Sequence, residues 1–135
     1  GLRAGSRIDQ VRLSYERDSD AFTPSERWQE VHGGEGGNDR GDLQLAPGES
    51  IAVIDARTGR PHGQVDRLSL TSSDGRILGG GDGRKGNTDM LWRRGSDEVL
   101  LGFSGRAGAE LDGLQAVIAR FGPLIWEPVD EAEEA

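Results

Sequence analysis

Three segments of the sequence end in an aspartate that follows an aliphatic residue, and two of them begin with glycine. They are Gly5-Ser6-Arg7-Ile8-Asp9, Gly108-Ala109-Glu110-Leu111-Asp112 and His62-Gly63-Gln64-Val65-Asp66, the last with histidine in the leading position. Glycine lets the backbone bend and leaves neighbouring amides uncovered, so successive N–H groups can converge as hydrogen-bond donors. The aspartate that closes the segment adds two acceptor oxygens. The pattern therefore predicts a small pocket in which amide donors and one carboxylate meet.

Such a pocket suits neighbouring hydroxyl groups on a ring, because a hydroxyl can give its proton to the carboxylate while it accepts one from an amide. Hydrogen bonds to a charged acceptor are worth about 1.5–3 kcal/mol each. The alternative is that each aspartate only braces a turn, and one Gly-x-x-x-Asp is too common to decide between the two. Recurrence of the aspartate at equivalent positions, together with separate glycine-rich segments, favours a binding role toward a sugar ring.

The segments that carry the aspartates are predicted β-strands. Residues 8–15, 65–72 and 111–118 each place apolar side chains three and five positions after the opening aliphatic residue. From the second apolar residue onward the period is two, which is typical of a strand with one buried face. Residues 31–37 and 77–83 each run from a strand end into glycines. Many short strands without helical periodicity predict an all-β domain, and the threefold repeat favours a prism of small antiparallel sheets.

Composition limits the classes of function. Glycine accounts for 22 of 135 residues, more than twice the usual share of about 7%. The formal net charge of -8 argues against nucleic acid, which is bound through clustered Lys and Arg. Cysteine is absent, which excludes disulfides and thiolate metal sites. No apolar run approaches the roughly 20 residues that a membrane-spanning helix needs. We therefore expect neither a nucleic-acid partner nor membrane insertion.

Enzymatic and metal-binding interpretations find less support. The glycine-rich run at residues 79–89 lacks the Gly-Lys-Ser/Thr of a phosphate-binding loop and does not sustain a calcium-binding β-roll repeat. Asp97 and Glu98 are adjacent, so in a strand they would point to opposite faces rather than converge as a glycosidase pair. His32 and His62 show no repeated spacing to acids. We expect no catalytic residues, no metal and no cofactor.

At these same residues the sequence resembles the jacalin-related lectin domain of the mannose-binding type. The resemblance covers roughly residues 1–121. The matching stretches are Ala4-Gly5-Ser6-Arg7-Ile8-Asp9, Val31-His32-Gly33-Gly34-Glu35-Gly36-Gly37, Leu45-Ala46-Pro47-Gly48-Glu49 and Gly102-Phe103-Ser104-Gly105-Arg106-Ala107-Gly108-Ala109-Glu110-Leu111-Asp112. The most specific is the Gly105-Arg106-Ala107-Gly108 run that leads into Leu111-Asp112. The resemblance implies a β-prism I fold of three four-stranded antiparallel Greek-key sheets with pseudo-threefold symmetry. It also implies sugar binding without metal or catalysis.

Carried over residue by residue, the resemblance implies a principal sugar site in the loop that begins at Gly108. The backbone amides of Ala109 and Glu110 and the carboxylate of Asp112 would hold the sugar. In the family a glycine-rich loop near the N-terminus of the domain completes this site. That loop and its leading strand are not found in this sequence, so we expect the principal site to be incomplete.

A second site is better preserved. It would use Gly5, Ser6, Arg7 and Asp9, with Gly33 and Gly34 facing them. A third candidate, residues 62–66 with residues 79–80, departs from the pattern at His62, which could block the ring or point outward. The expected ligands are mono- or oligosaccharides. Mannose or glucose is favoured, because no aromatic residue lies in either Gly-x-x-x-Asp loop, and galactose is the alternative.

The predicted organisation is one lectin domain over residues 1–129 followed by an acidic, disordered tail at residues 130–135. Apolar residues 121–126 could cover the gap left by the missing strand, or another chain could fill it. A homo-oligomer would add avidity, and the resemblance favours a secreted or cell-surface protein. The chain could be the targeting module of a larger protein. The alternative function is a β-prism interaction or assembly domain without sugar binding.

Overall fold

A computed structural model of the chain describes residues 1–17, 19–59, 64–82 and 88–120. Within these ranges the chain forms ten β-strands joined by turns and loops, and no helix there is long and apolar enough to span a membrane. In chain order the strands are β1 (Leu2–Ala4), β2 (Ile8–Arg17), β3 (Glu26–Gly33), β4 (Asn38–Gly41), β5 (Ile51–Thr58), β6 (Val65–Ser72), β7 (Ile77–Gly81), β8 (Thr88–Arg93), β9 (Glu98–Ala107) and β10 (Leu111–Arg120). The prediction of an all-β chain is confirmed.

The strands form three antiparallel sheets. The first has the spatial order β3-β2-β1-β4 and the second the order β7-β6-β5-β8. Each is a Greek key, in which three consecutive strands pair and the fourth returns to lie beside the first. The third sheet consists of β9 and β10 in the described part of the chain, whereas the family pattern implies four strands. The hairpins β1–β2, β5–β6 and β9–β10 repeat, so the predicted threefold arrangement of antiparallel sheets is confirmed.

Alternation of buried and exposed side chains gives each sheet one apolar face. In β6 the side chains at positions 68, 70 and 72 are buried, and those at 67, 69 and 71 are partly exposed. Leu2, Ile8, Ile54 and Leu68 are completely buried, and they join Leu111 of the third sheet in one cluster. Full burial of such a side chain is worth about 1.5–3 kcal/mol. This shared core fixes the positions of the three hairpins relative to one another.

An ion pair between the buried Glu49 and the exposed Arg76 ties the start of β5 to the turn before β7. Glu49 accepts hydrogen bonds from the Ala46 N–H at 2.8 Å and from Arg76 Nε at 3.0 Å, and 1% of its side chain is exposed. The hydrogen bonds from Arg76, and then those from Ser72 and the Ala46 N–H, lower the pKa of Glu49 from its ordinary value of 4.5 to about 2. Glu49 precedes β5, so the pair lies at the opposite end of that strand from Gly59.

Candidate functional site

Each of the three repeated aspartates is the extra residue of a β-bulge. In the β1–β2 pairing, residues 8 and 10 pair with consecutive residues of β1, so the register passes over Asp9. The β5–β6 pairing passes over Asp66 and the β9–β10 pairing passes over Asp112 in the same way. A bulge bends its strand and re-aims the side chain. The three carboxylates therefore leave the regular alternation at the same end of equivalent hairpins, as the sequence repeat predicts.

The loop before each aspartate is closed by the same backbone hydrogen bond. Gly5 N–H donates to the carbonyl two residues before Asp9 at 3.1 Å, and Gly108 N–H donates to the carbonyl two residues before Asp112 at 3.0 Å. The third such bond runs from Gly59 N–H to the Gln64 carbonyl at 2.9 Å. Gly59 is thus the equivalent of the leading glycine, and the assignment of that position to residue 62 is wrong. The second loop is longer than the others, and residue 62 lies outside the described residues.

The Asp9 carboxylate lies against the second half of the glycine-rich segment that follows β3. Its Oδ2 accepts a hydrogen bond from Gly5 N–H at 3.1 Å. A β-carbon on Gly36 would lie 2.8 Å from Asp9 Oδ1, and one on Gly37 would overlap Oδ2. Asp9 is half-buried, while Gly36 and Gly37 are exposed. One carboxylate oxygen therefore braces the turn, and the other, on the glycine side, keeps its capacity to accept from a ligand.

Gly33 and Gly34 contact Asp9 through the main chain rather than through its carboxylate. Gly34 N–H donates to the Asp9 carbonyl at 3.0 Å, and a β-carbon on Gly33 would overlap that same carbonyl. Gly34 also packs so closely on Ala109 that a β-carbon there would overlap the Ala109 carbonyl. Gly33 and Gly34 thus form the floor between the first and third loops. The glycines that face the Asp9 carboxylate are Gly36 and Gly37.

Arg7 joins the three loops at one end of the molecule. Its Nη1 lies 3.0 Å from Glu110 Oε1 in the third loop, and its Nε lies 3.8 Å from Asp66 Oδ1 in the second. The neighbouring Ser6 is exposed, and its carbonyl accepts a hydrogen bond from Asp82 N–H at 3.3 Å. All three Gly-to-Asp loops therefore lie side by side. The side chain of Arg7 therefore interacts with the carboxylates of Glu110 and Asp66.

The second loop differs from the other two because its carboxylate is enclosed. Asp66 is 3% exposed. A β-carbon on Gly59 would contact Asp66 Oδ2 closely, and Arg7 Nε lies 3.8 Å from Asp66 Oδ1. Asp66 is thus used inside the protein, whereas Asp9 and Asp112 are half-buried at the surface.

The third loop brings Gly108, Ala109 and Glu110 before Asp112, as the resemblance implies. A β-carbon on Gly108 would lie 3.7 Å from Asp112 Oδ2, an ordinary contact. In the described residues no glycine segment packs on the Asp112 carboxylate as Gly36 and Gly37 pack on Asp9. The Asp9 site is the more complete of the two.

Arg3 is a site residue that the sequence analysis missed. Its Nη2 donates to the carbonyls of Glu35 and Gly37 at 3.0 and 3.2 Å, and its Nε donates to the Gly36 carbonyl at 3.2 Å. The sequence signal that could have identified Arg3 is the alternation of side chains in a strand, because a residue between two buried neighbours faces outward.

The described residues contain no cluster of three or more His, Cys, Asp or Glu that could hold a metal ion.

The antiparallel sheets and their repeated hairpins place the chain in the class of β-prism proteins, and comparison with known proteins agrees. The family model of the jacalin-like lectin domain matches residues 2–117. The chain therefore belongs to the jacalin-like lectin family. A comparison with curated proteins found no match.

Lectins are among the solved structures of similar fold. Wild-type Malaysian banana lectin is 23% identical with a TM-score of 0.70, and the match covers 89% of this chain and 80% of that one. AcmJRL, a mannose-binding jacalin-related lectin from Ananas comosus, is 22% identical with a TM-score of 0.68, covering 89% and 79%. Artocarpin, solved in complex with mannotriose, is 21% identical with a TM-score of 0.67, covering 87% and 79%. At these identities the likeness concerns the fold.

Proposed function

We propose that this chain is a non-catalytic carbohydrate-binding module whose main site is the Asp9 loop together with Gly36 and Gly37. The observation that carries the proposal is the half-buried Asp9 carboxylate, set off its strand by a bulge and packed on exposed glycine backbone. The family is one of lectins, and two of the similar structures have names that mention mannose or mannotriose. These support mannose- or glucose-type sugars as ligands.

The groups at the site match the hydroxyls of a sugar ring. Asp9 Oδ1 supplies the acceptor, and the backbone of the glycine segment supplies N–H donors. Because glycine has no β-carbon, a ring can approach this backbone closely. Ser6 and Arg7 continue the Asp9 loop from Gly5, where a β-carbon would lie 3.6 Å from Gly37 Cα, and Gly33 and Gly34 pack on the Asp9 carbonyl.

Charge at this end favours a neutral sugar. Asp9, Glu110 and Asp112 lie on neighbouring loops, while Arg7 is paired with Glu110. An anionic group such as a sialic acid carboxylate or a sulfate would meet like charges there, which costs binding energy. We expect neutral mannose- or glucose-containing glycans to bind and sialylated or sulfated glycans to bind weakly.

The loop formed by Gly108, Ala109, Glu110 and Asp112 is proposed as a second, weaker site. Its backbone amides and carboxylate have the same chemistry, and it touches the floor of the Asp9 site at Gly34. Two adjacent weak sites favour branched or repeated glycans, since simultaneous engagement raises the apparent affinity.

The test is a glycan array followed by calorimetric titration with a mannose oligosaccharide. Asp9→Asn keeps the shape of the side chain and removes its charge, so we expect affinity to fall about 10- to 150-fold, the equivalent of a lost bond to a charged acceptor. Asp112→Asn should reduce affinity less. Asp97→Asn is the matched control, because Asp97 is exposed in the turn before β9, at the other end of the hairpin. Wild-type protein that binds no glycan, or an Asp9→Asn protein that binds normally, would refute the proposal.

A protein-interaction or assembly domain is the second candidate. Ile77 and Leu91, on the outer strands of the second sheet, are 69% and 57% exposed, and Leu101 on β9 is 56% exposed. Large exposed apolar side chains are common at protein interfaces. An empty glycan array together with concentration-dependent association in sedimentation would favour this candidate.

A further inference from the structure

Arg3 donates hydrogen bonds to three consecutive carbonyl groups of the glycine-rich segment that follows β3. The donors are the Nε and Nη2 atoms of one planar guanidinium, and the acceptors are the carbonyls of Glu35, Gly36 and Gly37 at 3.0–3.2 Å. Arg3 lies on β1 between the buried Leu2 and Ala4, so its backbone is held by the core. A fixed strand thus holds an exposed loop through a side chain whose fork presents its donors in set directions.

The orientation of the carbonyls determines where the amides point. In a planar trans peptide the N–H of one residue is directed opposite to the carbonyl of the residue before it. With the carbonyls of residues 35–37 turned toward Arg3, the N–H groups of Gly36, Gly37 and Asn38 are directed away from it. Asn38 pairs with Ala4 in the sheet. The N–H groups of Gly36 and Gly37 donate to no acceptor among the described residues.

We infer that Arg3 is a positioning residue for the sugar site: by holding the carbonyls of residues 35–37, it presents the Gly36 and Gly37 N–H groups as donors beside the Asp9 carboxylate. The inference rests on the proposed function and adds to it the group that preorganises the loop. Arg3 does not touch the sugar itself. It lowers the cost of ordering the loop when a sugar binds, since a loop already fixed in its bound conformation loses less entropy.

The experiment compares Arg3→Gln, Arg3→Lys and Arg27→Gln in the full chain. Arg27 is the matched control, because its side chain is 79% exposed and its ion pair is with Glu16, away from the loops. Sugar affinity is measured by calorimetric titration with a mannose oligosaccharide, folding by thermal unfolding, and loop order by the ¹⁵N order parameters of Gly36 and Gly37. The order parameters are measured without sugar, so they report on the loop alone.

We expect Arg3→Gln to weaken binding about tenfold by raising the cost of ordering the loop. The order parameters of Gly36 and Gly37 should fall from about 0.85 toward 0.6, with a melting temperature close to that of Arg27→Gln. Arg3→Lys should recover part of both, because an ammonium group also donates to carbonyls but lacks the planar fork.

Unchanged order parameters in Arg3→Gln would overturn the inference whether or not the protein binds sugar. Increased loop motion with unchanged affinity would also overturn it. Failure of the proposed function looks different: wild-type protein would bind no glycan at all, and Asp9→Asn would have no effect to measure.

Discussion

A methyl group at position 37 should strongly damage the site. Gly37 has a φ of +63°, a left-handed conformation that costs an L-residue with a side chain about 1–2 kcal/mol. A β-carbon there would also overlap Asp9 Oδ2 and the main chain of Ala4 and Gly5. Backbone cannot move aside as the end of a flexible side chain can, so overpacking adds about 1–3 kcal/mol. We expect Gly37→Ala to destabilise the fold by about 2–5 kcal/mol.

The chain offers a control that separates the two contributions. Gly48 also has a positive φ, of +80°, but a β-carbon there would meet nothing within 4 Å. Gly48→Ala should therefore cost the conformational part alone, about 1–2 kcal/mol. Urea unfolding of both variants, with sugar titration of the folded proteins, measures the difference. Equal losses of stability in the two variants, or normal sugar affinity in Gly37→Ala, would refute the close packing of Gly37 on Asp9.

Three further predictions concern charged groups. A double-mutant cycle with Arg7→Gln and Glu110→Gln should give a coupling energy of less than about 1 kcal/mol, because the two side chains are 40% and 29% exposed; a value above about 3 kcal/mol would contradict this. Asp66→Asn should lower the free energy of unfolding by about 1–3 kcal/mol and leave sugar affinity unchanged in titration, whereas lost affinity would show that the second loop binds sugar. The pKa of Glu49 is lowered on folding, so its ionised form stabilises the protein above pH 4.5, and this contribution is lost as the pH falls toward 2. The difference in melting temperature between wild type and Glu49→Gln should accordingly shrink over that interval, and a constant difference would contradict the assignment.

Much of the fold follows from one spacing in the sequence. The apolar residues at positions 8, 11 and 13 recur at 65, 68 and 70 and again at 111, 114 and 116. The first two apolar residues of each repeat are three positions apart because a bulge inserts one extra residue between them. The second and third are two positions apart, which is the ordinary period of a strand. This pattern predicts the three equivalent strands and the three aspartates near their starts.

The contacts around the aspartates were harder to predict, because they depend on loop length and on neighbours distant in sequence. Gly59 was missed because four residues, 60–63, separate it from Gln64, whereas one residue separates Gly5 from Arg7 and one separates Gly108 from Glu110, so the spacing of the other loops is hidden. The glycine segments were aligned with Gly33 opposite Gly79. The hydrogen bonds from Gly34 and Asp82 N–H to the aspartate carbonyls instead make Gly33 the equivalent of Gly81. Arg3 was missed because its three acceptors lie more than thirty residues away along the chain.

The bulges also separate the aspartate carboxylates from the scaffold. If Asp9 were removed, residues 8 and 10 would become neighbours and would still pair with consecutive residues of β1. The apolar side chains at 8 and 11 would then be two apart, which is the spacing of an uninterrupted strand. A single in-frame codon could therefore add or delete the carboxylate of any one repeat while every core residue kept its side of the sheet. Such a scaffold can gain or lose sites one repeat at a time during evolution, without first having to redesign its interior.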